Sequence, residues 1–185
     1  EKLIAAPAGL RKALNRLIER ETENAQAGKK AGITAKFNSL VDPKIIKRLY
    51  AAADAGVQID LIVRGVCCLK TGGRENLRVR SIVGRFLEHS RAFVFENDGD
   101  PLVFLSSADW MPRNLDKRVE LMFPVEAEEL KARVIASLRD ELRDNCKAWD
   151  LKKSGVYRRA RREPPLLNSQ EARVLAPAQP EEDDE

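Results

Sequence analysis

His89 is the only histidine in a chain of 185 residues. An unperturbed imidazole changes charge near neutral pH, which makes it the first candidate for moving a proton or a phosphoryl group. Arg91 stands two residues beyond it and Glu88 directly before it, while Arg64 and Arg118 lie at the end and the start of apolar runs. A guanidinium offers a planar fork of donors that grips phosphate oxygens two at a time without titrating. A phosphoryl group in flight spreads negative charge over its equatorial oxygens, so fixed cations stabilise it, and an imidazole can give or take the proton that arginine cannot. Removing one such cation from a dry site typically costs on the order of 3 kcal/mol, about a hundredfold in rate. The same residues have plainer readings, a histidine that only packs and arginines that pair with surface carboxylates. The surrounding elements must decide between them.

Leu10, Ala13, Leu14, Leu17 and Ile18 recur at helical spacing between Pro7 and Gly28, which predicts an amphipathic helix of roughly five turns. Ile33 to Asn38 alternates apolar with polar residues as a strand does, with Lys36 and Asn38 on its second face. Asp42-Pro43 supplies an N-cap and a first-turn proline; Ile45, Ile46, Leu49, Tyr50 and Ala53 form the stripe of a helix that Gly56 ends. Val57 to Val63 is a second strand. Such a strand, helix, strand unit implies parallel strands joined by a right-handed crossover, with ligand sites at their carboxyl ends, where Arg64 and Gly65 stand.

Leu77 to Ser81 reads as a further strand, and Ile82 to Glu88 as a short helix that buries Val83, Phe86 and Leu87 and is closed by His89. Ala92 to Phe95 and Leu102 to Leu105 make a hairpin, which delivers Ser106, Ser107 and Asp109 to the end where His89 begins. Asp109 to Asn114 is a polar loop, Val119 to Phe123 a strand preceded by Arg118, and Glu126 to Asn145 a helix with Leu130, Val134, Leu138 and Leu142 toward the sheet. Past Trp149 the pattern dissolves into a basic run, a short helix at Ser169 to Leu175 and an acidic tail read as disordered. The fold class is α/β, a mixed sheet flanked by helices. Residues 1–150 form the domain and 151–185 a tail.

No apolar run approaches the ~18 residues of a membrane span. Glu1 is not followed by a signal-peptide pattern, and the chain reads as a piece of a longer polypeptide. The net charge of +4 hides a division, because the last five residues are all acidic and the rest carries +9. Lys147 to Arg162 alone carries +6 in sixteen residues, which either binds a polyanion or is a solvated face. Cys67, Cys68 and Cys146 fit neither zinc-ligand spacing nor a disulfide framework, which predicts a reducing, cytoplasmic setting. Asp60, Asp109 and Asp116 are carboxylates that could serve structure or magnesium, and the sequence assigns no metal ligand.

Four stretches together resemble the carboxyl-terminal catalytic domain of the long, phospholipase-D-like polyphosphate kinases of bacteria. They are Lys36-x-Asn38-Ser39-Leu40-Val41-Asp42, Asp60 to Gly65, Ser81 to Arg91 and Ser106 to Asn114, within a match from Leu10 to about Asn145. The superfamily motif is His-x-Lys, four residues, Asp, then Gly-Ser-x-Asn; here Arg91 takes the lysine place, Glu96 the aspartate place and Ser106-Ser107-x-Asp109 the last. The resemblance implies a phospholipase-D-like sheet and reversible transfer of the ATP terminal phosphate to polyphosphate, with Mg2+. It implies a phosphorylated histidine in a similar domain upstream of Glu1, with His89 across the cleft as acid or base. It puts phosphate-holding arginines at Arg64 and Arg118, with Arg91 beside them and Lys36, Asn38, Ser107, Asp109 and Asn114 in support. Asp109 or Glu88 could orient the imidazole. The implied partners are ATP or ADP, polyphosphate, the upstream domain and further copies of the chain, in the cytoplasm or against the inner face of the membrane, with no specific nucleic acid. Two alternatives stay open: a phosphodiesterase in which two chains pair their His89 residues, weakened by Arg91 in the lysine place, and a non-catalytic polyanion-binding module.

Overall fold

The computed structural model describes residues 3–175. Nine strands form one sheet: β1 (Ile4–Ala6), β2 (Gly32–Phe37), β3 (Gln58–Val63), β4 (Leu77–Ile82), β5 (Ala92–Phe95), β6 (Leu102–Ser106), β7 (Glu120–Pro124), β8 (Ala148–Leu151) and β9 (Tyr157–Arg159). Five helices accompany them: α1 (Leu10–Gln26), α2 (Pro43–Asp54), α3 (Pro112–Asp116), α4 (Glu128–Arg143) and α5 (Ser169–Leu175). The strand order is β1-β7-β6-β5-β2-β3-β4-β8-β9. β2, β3 and β4 run parallel, while β5 lies antiparallel to β2 and all remaining pairs are antiparallel.

Alternation along the strands sends side chains to two cores. Ile33, Ala35 and Phe37 of β2, Ile59, Leu61 and Val63 of β3, and Phe93 and Phe95 of β5 pack beneath α1 and α2. Ile62, Ile82, Ala92, Val94 and Val103 face the other way, toward Leu138, Val134 and Leu142 of α4. A strand covered on both faces reads as an almost unbroken apolar run, as Ile59 to Val63 does around Asp60. Asp42 caps α2 as expected, its Oδ1 accepting the Ile45 amide at 2.8 Å. Arg11 of α1 then bridges Asp42 and Asp116, which locks α1, the start of α2 and α3 together.

Four departures from the sequence reading stand out. Ile82 to Glu88 is not a helix: β4 runs to Ile82, the chain continues without regular structure to Arg91, and Val83, Phe86 and Leu87 are exposed. The i, i+3, i+4 spacing of those three residues imitates a helix, but the segment is too short to repay nucleation, and a side chain of α5 takes the Phe86 amide. The basic run is not irregular either. β8 pairs with β4 and β9 with β8, so the sheet continues past residue 150, with Leu151 buried and Arg158 and Arg159 exposed. At the opposite end, Ile4 to Ala6 adds a strand on β7 that the sequence did not announce. Leu130, read as a core position, lies exposed. The acidic tail lies outside the described residues.

Candidate active-site cleft

The carboxyl ends of β2, β3, β4 and β6 and the amino end of β5 share one edge of the sheet, because β5 pairs Ala92 with Lys36 on one side and with Leu105 on the other. The loops that leave this edge are stitched by backbone bonds. Leu40 N donates to Val66 O at 2.9 Å, and the Val41 and Asp42 amides both donate to Trp110 O at 3.0 Å. The Trp110 indole is fully buried against Phe37 and Phe93, with ring centroids 4.6 and 5.2 Å away. Gly65 permits the closest approach: a Cβ there would lie 2.9 Å from the Asn38 carbonyl oxygen, and the glycine amide donates to that same oxygen at 2.7 Å.

A continuous chain of bonds runs over this edge. The buried Asp109 carboxylate accepts from the Asn38 amide at 2.7 Å and from Arg91 Nε at 3.0 Å, with Arg91 Nη2 at 3.3 Å from its second oxygen. The Asp109 amide in turn donates to Asn114 Oδ1 at 2.9 Å. Arg91 Nη1 lies 3.2 Å from His89 Nδ1 and donates to the His89 carbonyl at 3.1 Å. On the far side, Arg64 Nε donates to Asn38 Oδ1 at 2.8 Å while the arginine itself stays exposed. Asp109, Asn38, Asn114, Arg64, Arg91 and His89 are therefore one assembly.

The Arg91 contact has a chemical consequence. A guanidinium only donates, so Nδ1 must offer its lone pair, and a neutral ring then carries its proton on Nε2. The orienting group is a cation held by Asp109. Of the two carboxylates expected to orient the ring, Asp109 therefore acts one residue removed, through Arg91. Glu88 does not act on the ring: its oxygens meet Lys36 Nζ at 2.5 Å and Gln170 Nε2 at 2.7 Å. Burial pushes the Glu88 carboxyl up, but the hydrogen bonds from Lys36 and Gln170 outweigh it and leave the group below the usual carboxylate range.

Other expected residues stand apart from this chain of bonds. Lys36 projects to the α4 face, is 3% exposed, and binds Glu88 and Glu141, the latter at 2.7 Å. Ser107 Oγ donates to Glu120 and accepts from the Leu121 amide at 3.0 Å, which joins β6 to β7. Arg118 precedes β7 at the same edge, exposed, and its side chain has no hydrogen-bond or ion-pair partner among the described residues. Asp60 pairs with Arg78, Asp109 with Arg91 and Asp116 with Arg11. The sequence reading missed Glu141, Gln170 and Arg173. Only Glu141 left a signal there, as an acid at a core position of an amphipathic helix beside Leu138 and Leu142.

Residues 3–170 match the family model for polyphosphate kinase C-terminal domain 2. The chain is 55% identical over 163 residues to the polyphosphate kinase of Pseudomonas syringae pv. tomato, an alignment that covers 86% of this chain and 22% of that protein. The crystal structure of polyphosphate kinase from Porphyromonas gingivalis superimposes with a TM-score of 0.89 at 41% identity, over 93% of this chain and 27% of that one. The phospholipase D family member Nuc from Salmonella typhimurium shares the fold, with a TM-score of 0.59 at 16% identity, over 80% of this chain and 95% of that one. The chain thus spans about a quarter of the length of the polyphosphate kinases it matches. It belongs to the polyphosphate kinase family as that family's second carboxyl-terminal domain, built on a phospholipase-D-like sheet.

Proposed function

We propose that this chain supplies half of an active site that transfers the terminal phosphate of ATP reversibly to polyphosphate. The observation that carries the reading is the Asp109–Arg91–His89 relay with Arg64 at its side. In this reading Arg64, Arg91 and Arg118 hold phosphate oxygens and oppose the charge that develops on them. Asn38 and Asp109 fix two of those guanidinium groups, so little reorganisation is needed when phosphate arrives. His89 donates a hydrogen bond from Nε2–H to a phosphate oxygen on which charge develops, and the proton stays on the ring in both directions of the transfer. The phosphorylated histidine belongs to an upstream domain of the same polypeptide, and the working enzyme is a homo-oligomer in the cytoplasm. Kinship at 55% identity with the polyphosphate kinase of Pseudomonas syringae pv. tomato supports ATP and polyphosphate as substrates.

Among the described residues, the carboxylates do not fit a magnesium cage of their own. Asp60, Asp109 and Asp116 are each neutralised by an arginine, and no group of three potential ligands gathers among the described residues. Phosphate oxygens and water would hold an ion that arrives with nucleotide. The phosphodiesterase alternative needs a lysine two residues after the histidine, and that place is taken by Arg91.

The test is an assay of the purified chain with ATP and polyphosphate. Binding of polyphosphate, weakened by Arg64→Ala and His89→Ala, with little or no synthesis, is expected. Robust synthesis that persists in His89→Ala would overturn the division of labour.

A further inference from the structure

We infer that α5 is a strap that sets the position of His89, with Gln170 and Arg173 as positioning residues; the inference rests on the proposed role of His89. The segment from Val83 to Ser90 has no regular structure, and its apolar side chains Val83, Phe86 and Leu87 do not anchor it in a core. Something else must hold the backbone that leads into the imidazole. Arg91 constrains the ring from the carboxyl side only.

The amino side is held by α5. Gln170 is 5% exposed and treats Phe86 as a neighbouring strand would, accepting from its amide at 3.1 Å and donating to its carbonyl at 2.9 Å. The remaining Gln170 hydrogen goes to Glu88 Oε1 at 2.7 Å, so every donor and the acceptor of this carboxamide serve the segment before His89. The other Glu88 oxygen meets Lys36, which reaches Glu141 at 2.7 Å, and Arg173 closes on the same Glu141 oxygen at 2.7 Å. Two cations and two carboxylates thus form a neutral cluster between β2, α4, α5 and the residue next to His89, with Lys36 and Glu141 buried and Arg173 on the exposed side. None of its members contacts the imidazole, so their part is placement rather than chemistry.

The strap is itself fastened. Asp144 Oδ2 accepts from the amide and hydroxyl of Ser169 at 2.8 and 2.9 Å, while Oδ1 accepts the Cys146 and Lys147 amides at 2.9 and 2.7 Å at the entrance to β8. Gly84 completes the fit, since a Cβ placed there would sit inside the Gln170 carboxamide. The carboxamide could move aside, but only by leaving Phe86 and Glu88.

Because His89 is the only imidazole, ring 15N resonances report it without overlap. Gln170→Ala, Gly84→Ala, the double variant and His89→Ala are compared by ring 15N shifts, by amide exchange of residues 85–90, and by the affinity of the chain for long-chain inorganic polyphosphate. Each of the first two is expected to average the two ring nitrogens, raise exchange at least about tenfold, and weaken polyphosphate binding about tenfold, the loss of roughly one buried hydrogen-bond set. The double variant is expected to match Gln170→Ala, because the added methyl acts only by evicting the carboxamide. Gln170→Glu is not expected to rescue, having no hydrogen for Phe86 O or Glu88. A folded Gln170→Ala with an unchanged ring spectrum and affinity overturns the strap, and so does additivity in the double variant. If Gln170→Ala unfolds, Gly84→Ala on its exposed loop decides alone. Unchanged polyphosphate affinity in His89→Ala would instead sink the proposed role of His89, while ring spectra and exchange still judge the strap.

Discussion

Asp109→Asn isolates the centre of the site. The substitution keeps the shape of the side chain and an oxygen for the Asn38 amide, but it turns a neutral group toward Arg91. The two side chains are 13% and 11% exposed, so Arg91 is left as a mostly buried, unpaired cation. Breaking a buried pair by removing one partner costs about 3–5 kcal/mol. The remaining exposure lets the guanidinium find some water, which favours the lower end, about 3 kcal/mol or roughly a hundredfold in the folding equilibrium. For a chain of this size that is a fall in Tm of roughly 6–12 °C. Urea unfolding of Asp109→Asn, Arg91→Met and the double variant measures it. The double variant should be more stable than the sum of the single losses by about 1–3 kcal/mol, since it leaves no stranded charge. A loss below about 1 kcal/mol in Asp109→Asn, or additivity within about 0.5 kcal/mol, would show that Asp109 and Arg91 do not act as one unit.

Gly65→Ala should lose about 1–3 kcal/mol in urea unfolding and weaken polyphosphate binding together, because its Cβ meets the Asn38 carbonyl at 2.9 Å and moves the residue that holds Arg64. Trp110→Ala should cost about 3–5 kcal/mol, read by thermal unfolding, since it empties the space between Phe37 and Phe93 under the site. Acid should destabilise the fold through Asp42, Glu88 and Asp144. Burial raises each of these carboxyls, but hydrogen bonds, from Arg11 to Asp42, from Lys36 and Gln170 to Glu88, and from the Lys147 and Ser169 amides to Asp144, bring each below its ordinary value. The unfolded chain then binds more protons than the folded one, so stability is full above the ordinary carboxylate range of about 4 and falls as pH drops through the lowered values. Urea midpoints at several acid pH values check it, and a midpoint that rises on acidification would contradict it.

The sequence spoke clearly where periodicity and end signals agree. Asp42-Pro43 before a stripe of isoleucine and leucine, with Gly56 after it, leaves one reading for α2, and β2 and β3 follow on either side. Arg64, Arg91, Asn38 and Asp109 could be brought to one edge because each sits where an apolar strand begins or ends. The bonds among them could not be read. A carboxylate may face a ring or a guanidinium at the same strand end, and only packing settles that Asp109 takes Arg91. Residues 83–88 misled because spacing alone does not distinguish a helix from an exposed loop. β8 and β9 stayed hidden because each is only three or four residues long, and β9 carries two arginines besides its tyrosine. Gln170 meets Phe86 across 84 positions through a side chain, which leaves no periodic trace.

The ends of the sheet bear on how it escapes edge-to-edge pairing. An open sheet exposes unpaired amides and carbonyls along its outermost strands, and such borders recruit other chains into aggregates. Here the outermost strands, β1 and β9, are three residues each, and β9 carries the exposed Arg158 and Arg159. Short borders give an incoming strand little to zip onto, and paired positive charges repel a copy of the same edge. The basic run that suggests polyanion binding thus has a second use, as insulation for the border of a nine-stranded sheet.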